Sequence, residues 1–188
     1  MLHKIDQKYK IRSKLLKPFA IDINPNIVTF IALLVGMGAG AFFYFNMLEY
    51  AVLFLFLNGF FDVLDGEIAR RRGPTVLGDF LDHISDRIVD VAILLGIALG
   101  GYVSLEIGMY TIIAVLMVSY LGTQAQAVSK VRLYKGFMGR ATRLLLLIGF
   151  ASAEIFYSGI LYEGILVMLA LSLITFMQRF IHIFRELK

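Results

Sequence analysis

Residues 61–87 read FDVLDGEIARRRGPTVLGDFLDHISDR and place carboxylates, glycines and arginines in an otherwise apolar chain. Helices are expected on both sides of Gly73-Pro74, because this dipeptide ends a helix and marks a turn. At about 100° per residue, one set of acidic and small residues shares a stripe of the first helix: Asp62, Asp65, Gly66 and Ala69. A second stripe, with members four residues apart, lies on the next helix: Gly78, Asp82 and Asp86. The turn predicts an antiparallel hairpin in which the two stripes face each other.

The composition around this stretch is that of a membrane protein. The chain has 188 residues, of which 59% are hydrophobic and 17% charged, and its mean hydropathy is +0.80. A soluble domain carries about 25% charged residues. The uncharged segments between Asp22 and Glu49 and between Glu106 and Lys130 are each long enough for the roughly 20 residues that cross a bilayer. A soluble domain is therefore excluded, and the absence of cysteine excludes disulfides and thiolate metal sites.

Six membrane-spanning helices are predicted, at about 24–44, 50–70, 76–100, 108–128, 140–156 and 159–183. Asn24 is expected as the N-cap of the first helix, with Pro25 at its first helical position. Residues 1–20 interleave lysines with apolar side chains, which favours an amphipathic surface helix over a flexible basic leader. The predicted fold class is therefore an all-α integral membrane protein. One domain covers residues 1–188, with the interfacial helix at 1–20 and the six-helix bundle at 24–183.

The positions of the basic residues predict the orientation in the membrane. On this helix map, all 18 lysines and arginines fall at one face of the membrane, while the loops near Glu49, Glu106 and Glu163 hold none. Basic residues gather in cytoplasmic loops. Both termini and the carboxylate cluster are therefore expected on the cytoplasmic side of the cytoplasmic membrane.

The four aspartates of the two stripes point to a metal site. Ionisable groups inside spanning helices mark functional sites by default, and converging carboxylates cannot all stay ionised without cations. Carboxylate oxygens suit hard divalent ions, which bind phosphate oxygens in turn. Small residues at Gly66 and Ala69 would let a flat ligand approach, and Arg70 would donate to phosphate. For Asp79 and Asp90 a simple polar contact is equally plausible, and none of the histidines is predicted to be a ligand.

The pattern D-x2-D-G-x2-A-R-x7-G-x3-D-x3-D, from Asp62 to Asp86, resembles the signature of the CDP-alcohol phosphotransferases. These are integral membrane enzymes that install phospholipid headgroups. The resemblance implies a homodimer with two divalent cations, Mg²⁺ or Mn²⁺, and with Ca²⁺ as a non-productive occupant. It assigns metal binding to Asp62, Asp65, Asp82 and Asp86, and makes Asp86 also the general base. It assigns contacts with the nucleotide to Asp65, Gly66, Ala69, Arg70 and Gly78.

The reaction that the resemblance implies is a direct displacement. A hydroxyl of a small polar alcohol attacks the lipid-side phosphorus of a CDP-alcohol, and CMP leaves. The expected donor is CDP-diacylglycerol or CDP-archaeol, although a soluble CDP-alcohol stays possible. Membrane lipids are the other expected partners, and no nucleic-acid partner is expected.

The acceptor is predicted from a basic group on the same side of the membrane: Lys130, Arg132, Lys135, Arg140 and Arg143. One hypothesis is a pocket for the phosphate of a phosphorylated acceptor, favoured for Arg140 and Arg143. For the other three, orientation or binding of anionic lipids is equally plausible. Family members that use inositol phosphate have Lys and Arg near the positions of Gln124 and Gln126, so inositol phosphate and glycerol phosphate both stay open.

Two other classes of function compete with this prediction. In a transporter or channel, the carboxylates would line a route for cations or protons, but they all lie at one predicted depth. In a non-catalytic membrane scaffold, there would be no physical reason to keep four mutually repelling aspartates.

Overall fold

The computed structural model describes residues 23–129 and 136–187. These residues form six helices and no β-strand, which confirms the all-α prediction: α1 Pro25–Tyr44, α2 Leu48–Arg72, α3 Val76–Leu99, α4 Leu105–Ser129, α5 Arg140–Glu154 and α6 Ile160–Glu186. The amphipathic helix predicted at residues 1–20 lies outside the described residues. So do Lys130, Arg132 and Lys135 of the predicted basic group.

Local sequence signals set the helix starts near the carboxylate cluster. The side chain of Asn24 accepts a hydrogen bond from the backbone N–H of Asn26 at 3.0 Å, and Pro25 opens α1, as predicted. Thr75 caps α3 by accepting from the backbone N–H of Gly78 at 3.0 Å. Gly73, in the turn between α2 and α3, has φ of 94°, a conformation that glycine adopts without strain.

The turn at Gly73-Pro74 joins α2 and α3, as predicted. The two helices do not pack against each other along their lengths, and each packs against α1 instead. Glycines explain how α1 fits there, because a Cβ on Gly40 would overlap the backbone of Ala92, and one on Gly96 would overlap the backbone of Gly40. This close approach requires glycine on both helices. The two acidic stripes therefore meet across an open cleft beside the start of α1.

The other helices complete the bundle around an apolar core. Helix α4 packs on α3 and α6, and α5 packs on α2 and α6. The largest fully buried apolar side chains of the main core include Phe43, Leu55, Ile93, Ile97, Leu161 and Ile165. A smaller buried cluster of Val28, Leu64 and Ile68 lies on α1 and α2 near the aspartates of α2.

Three of the described helices are long and apolar enough to cross a membrane: Pro25–Tyr44, Leu105–Val128 and Ile160–Glu186. Their exposed side chains include large apolar ones such as Phe30, Ile113 and Leu173, as expected for contact with lipid. Helices α2 and α3 carry the carboxylate cluster. Helix α5 has 15 residues, about 22 Å, which is shorter than a bilayer core of about 30 Å.

Candidate active site

The acidic stripes of α2 and α3 line a cavity of about 420 Å³. The start of α1 and the first turn of α5 complete its walls. All four aspartates predicted as metal ligands line it: Asp62, Asp65, Asp82 and Asp86. The other residues predicted to contact the nucleotide line it too: Gly66, Ala69, Arg70 and Gly78. The structure thus brings together, around one space, two sets of residues that the chain separates by a turn.

The carboxylate oxygens in this cavity lie close enough together to share cations. Ligand atoms of Asp62, Asp65 and Asp82 all lie within 4.8 Å of one another, and so do those of Asp82, His83 and Asp86. Asp65 is buried, with 6% of its surface exposed, and the other three aspartates are partly buried. Like charges this close repel strongly where water is scarce. The donor set, mostly carboxylate oxygen, is the one that hard divalent ions prefer.

His83 belongs to this neighbourhood, although the sequence did not predict it as a ligand. Its Nδ1 lies 3.6 Å from a carboxylate oxygen of Asp82, and its Nε2 lies 3.7 Å from one of Asp79. Asp79 lines the mouth of the cavity, with about half of its side chain exposed. A histidine that is one residue from a helical stripe can still reach it, because its side chain is long enough to swing back along the helix.

The start of α1 contributes residues that the sequence analysis missed. The hydroxyl of Thr29 donates to Oδ2 of Asp65 at 2.8 Å, and both residues are buried. Pro25 and Asn26 line the same cavity. The sequence did contain a signal for Thr29, because it is a threonine one turn after the helix start at Asn24-Pro25 in an otherwise apolar helix. A polar side chain at that place in a spanning segment needs a partner.

The two arginines of α5 have different surroundings. Arg140 lines the cavity, and its guanidinium is paired with the carboxylates of Asp62 and Asp86. Arg143 is 5% exposed and does not line the cavity. Its Nη2 donates to Asp90 at 2.5 Å, and its Nη1 donates to the carbonyl of Met138 at 3.3 Å. Of the predicted acceptor residues that the structure describes, only Arg140 reaches the cavity, and Asp90 has the simple polar contact considered for it.

Arg70 is held at the cavity by a buried carboxylate. Glu67 is 6% exposed and accepts hydrogen bonds from Arg70 and from Nε of Arg71, both at 3.0 Å. The side chain of Arg70 keeps 58% of its surface exposed. It therefore stays free to turn toward an anionic ligand while one of its nitrogens is fixed.

Comparison with known proteins identifies the family. A family model described as CDP-alcohol phosphatidyltransferase matches residues 22–176. The archaetidylinositol phosphate synthase of Methanothermobacter thermautotrophicus is 33% identical over 170 residues, which cover 89% of this chain and 87% of that one. The protein of the same name from Pyrococcus horikoshii is 34% identical over 179 residues, covering 90% and 93%.

Solved structures of the Mycobacterium tuberculosis phosphatidylinositol phosphate synthase (PgsA1) share this fold. The structure with CDP-DAG bound has a TM-score of 0.78 at 24% identity, covering 93% of this chain and 94% of that chain. The structure in complex with manganese and citrate has a TM-score of 0.76 at 25% identity, covering 93% and 88%. Together with the family match over most of its length, these likenesses show that the chain belongs to the CDP-alcohol phosphatidyltransferase family, a family of membrane transferases of phospholipid biosynthesis.

Proposed function

We propose that the protein transfers the lipid phosphate group of CDP-archaeol or CDP-diacylglycerol to a hydroxyl of inositol phosphate, and releases CMP. The observation that carries the proposal is the convergence of four aspartates, Arg70 and Arg140 on one cavity. The names of the archaeal relatives, both archaetidylinositol phosphate synthases, support inositol phosphate as the acceptor and a lipid as the donor.

The aspartates Asp62, Asp65, Asp82 and Asp86 would hold two divalent cations, Mg²⁺ or Mn²⁺, with Ca²⁺ binding without turnover. Bound there, the cations would neutralise the phosphates of the donor and stabilise the charge on the departing CMP. The close approach of the carboxylate oxygens supports this assignment, as does the manganese in the structure of the mycobacterial relative.

The chain's own groups would orient the donor and move the proton. Gly66, Ala69 and Gly78 leave space for the cytidine diphosphate part, and Arg70 donates to its phosphates. Asp86 takes the proton of the acceptor hydroxyl as that oxygen bonds to the lipid-side phosphorus. The bond from this phosphorus to the oxygen of CMP breaks in the same displacement. No covalent enzyme intermediate is needed.

Arg140 would bind the phosphate of the acceptor. Its guanidinium lies beside Asp86, the proposed base, so an acceptor phosphate held there keeps the acceptor hydroxyl near that base. Lys130 and Arg132, outside the described residues, precede this helix in the chain and would add positive charge.

The proposed setting is the cytoplasmic membrane, with six spanning helices, both termini and the cavity on the cytoplasmic side, in a homodimer. Helices α2 and α3 have 25 and 24 residues, enough to cross although they carry charges at one end. Helix α5 is shorter, and the bilayer would thin locally around it. The predicted position of all lysines and arginines at one face of the membrane supports this orientation.

Release of CMP by the purified protein tests the proposal. The protein is incubated with CDP-archaeol or CDP-diacylglycerol, with Mg²⁺ or Mn²⁺, and with inositol phosphate, glycerol phosphate, serine or inositol in turn. We expect metal-dependent release with inositol phosphate above the others, and loss of at least 100-fold in Asp86→Asn, a typical scale for losing a general base. Release of CMP with glycerol phosphate alone would mean that glycerol phosphate, and not inositol phosphate, is the acceptor.

The control is Glu163→Gln, which removes an exposed carboxylate on the first turn of α6 that does not line the cavity. It should keep wild-type turnover. No release with any acceptor, or full turnover in Asp86→Asn, would overturn the proposed reaction. Membership of an enzyme family already removes the transporter and scaffold hypotheses.

A further inference from the structure

Helices α3 and α5 are joined by two ion pairs that lie one helical turn apart. Asp86 and Asp90 are four residues apart on α3, and Arg140 and Arg143 are three apart on α5. Arg140 pairs with Asp86 at the cavity, and Arg143 pairs with Asp90 at 2.5 Å. The second pair is more deeply buried, with Asp90 and Arg143 exposed by 9% and 5%.

Besides the buried pair, the pairing of Arg140 with Asp62 and Asp86 also holds the start of α5. Gly139, the N-cap residue of α5, offers no side-chain hydrogen bond. Helix α5 packs on α2 and α6, but it does not pack on α3 along its length. The remaining contacts at this end include the Arg143 bond to the carbonyl of Met138 and a bond from the N–H of Met138 to Thr175 at 3.1 Å.

Stability alone does not explain a charged pair in this place. Taking two charges out of water is costly, and apolar residues of similar volume often stabilise a core as well or better. None of the described residues accepts a hydrogen bond from the buried Nε of Arg143, which adds to that cost. A directional contact, in contrast, fixes both the depth and the rotation of α5 against α3.

We propose that Asp90 and Arg143 are positioning residues, whose ion pair holds the first turn of α5 against α3 so that Arg140 meets the phosphate of the acceptor. The inference rests on the proposed function for the role of Arg140. It assigns Arg143 an indirect role in acceptor binding, through its neighbour one turn earlier.

Steady-state kinetics of Asp90→Asn in the full-length enzyme test this assignment. We expect the KM for the phosphorylated acceptor to rise at least fivefold, while the KM for the CDP-lipid changes less than twofold. Arg143→Lys loses the planar guanidinium that reaches both Asp90 and Met138, but it keeps the positive charge. It should therefore raise the acceptor KM less than Asp90→Asn does. Equal rises in both KM values, or a fall in kcat alone, would overturn the proposal.

A double-mutant cycle separates action through Arg140 from an independent effect. If Asp90 acts only by placing Arg140, adding Asp90→Asn to Arg140→Ala should raise the acceptor KM no further. If the double variant raised the acceptor KM by the product of the two single effects, the proposal would be contradicted. Leu161→Ala is the control for general loss of stability, because Leu161 is fully buried beside the other end of α5. It should leave the ratio of the two KM values unchanged.

If Asp90→Asn does not fold, the neutral double variant Asp90→Asn with Arg143→Gln replaces it, since removing both charges leaves no unpaired one. It should show the same selective rise in acceptor KM. An unchanged acceptor KM in this variant would count against the proposal.

A distance measurement makes the result independent of turnover. The chain has no cysteine, so spin labels at Ile88→Cys on α3 and Leu145→Cys on α5, both exposed positions, would be the only labelled sites. We expect Asp90→Asn to broaden or shift the distance distribution, and an unchanged distribution would refute the positioning role. If the wild type released no CMP, the proposed function would fail, while this measurement would still decide the position of α5.

Discussion

Thr29 on α1 donates its hydroxyl hydrogen to Asp65 on α2 at 2.8 Å, inside the part of the cavity that is least exposed to water. The same hydroxyl lies 3.1 Å from the carbonyl of Pro25, so the bond to Asp65 is the shorter of its two contacts. A hydrogen bond to one carboxylate oxygen fixes the rotation of the carboxylate and leaves its other oxygen for a cation. Helix α1 is therefore part of the site as well as of the scaffold.

Thr29→Val should weaken binding of Mn²⁺ by about tenfold or more, which is the usual cost of losing a group that orients a metal ligand. Valine keeps the shape of threonine and removes the hydroxyl. Titration of the purified protein with Mn²⁺, followed by electron paramagnetic resonance, measures the affinity. Thr29→Ser retains the hydroxyl and should stay close to wild type, and equal affinities in the valine and serine variants would contradict the orienting role.

Arg140→Ala should strengthen binding of Mn²⁺ in the absence of substrates. The guanidinium contacts Asp62 and Asp86, two of the proposed ligands, so its positive charge competes with a cation for the same oxygens. An effect of about 1 kcal/mol, or roughly fivefold in affinity, is expected for a partly screened charge. Arg185→Ala, at an exposed site near the end of α6, is the matched loss of charge and should change nothing. Weaker binding in Arg140→Ala would mean that Arg140 supports the metal site.

Gly66→Ala should impair binding of the CDP-lipid without harming the fold. Among the described residues, a Cβ at Gly66 would meet only the guanidinium of Arg70, at 3.4 Å. The helix itself therefore accepts alanine and gains about 0.5–1 kcal/mol of stability. The added methyl group would instead occupy space in the cavity. We expect the KM for the CDP-lipid to rise by about tenfold, the cost of roughly 1.4 kcal/mol of lost binding.

The control for this substitution is Gly149→Ala on α5, where a Cβ would meet no atom of the described part of the chain within 4 Å. It should bring a similar gain in thermal stability with an unchanged KM. If Gly66→Ala kept the wild-type KM, the small residue at this position would have no part in the approach of the nucleotide.

Gly96→Ala should destabilise the protein while leaving the cavity residues untouched. Its Cβ would overlap the backbone of Gly40 on α1, and backbone cannot move aside as a flexible side chain can. Overpacking of this kind costs about 1–3 kcal/mol. Thermal unfolding in detergent would measure the loss, with Gly149→Ala as the reference for adding a methyl group to a helix. A melting temperature equal to that of the reference would show that the two helices separate easily.

The residues of the candidate site could be predicted from the sequence because their pattern is local. A period of 3.6 residues puts Asp62 and Asp65, or Asp82 and Asp86, on one helix face whatever the rest of the chain does. The caps at Asn24 and Thr75 act within three residues of themselves, so helix starts follow from short stretches of sequence.

The surroundings of Arg140 and Arg143 could not be predicted from the local sequence pattern. Three residues apart on one helix, their side chains point about 60° from each other, so either could have been expected at the cavity. Only the rotation of α5 against α3 turned Arg140 toward Asp86 and Arg143 toward Asp90. That rotation depends on contacts between residues more than 50 positions apart, which no spacing rule contains.

The sequence by itself determined that this is a helical membrane protein with four aspartates on two adjoining helices, because composition and helical period need no knowledge of neighbours. The tertiary structure decided that α1 lies against both of those helices, since glycines at positions 40 and 96 allow backbones to touch. It thereby opened a cleft between the acidic stripes and brought Thr29 to it. Which side chains meet across that cleft is a property of long-range packing, where each helix is oriented by all the others at once.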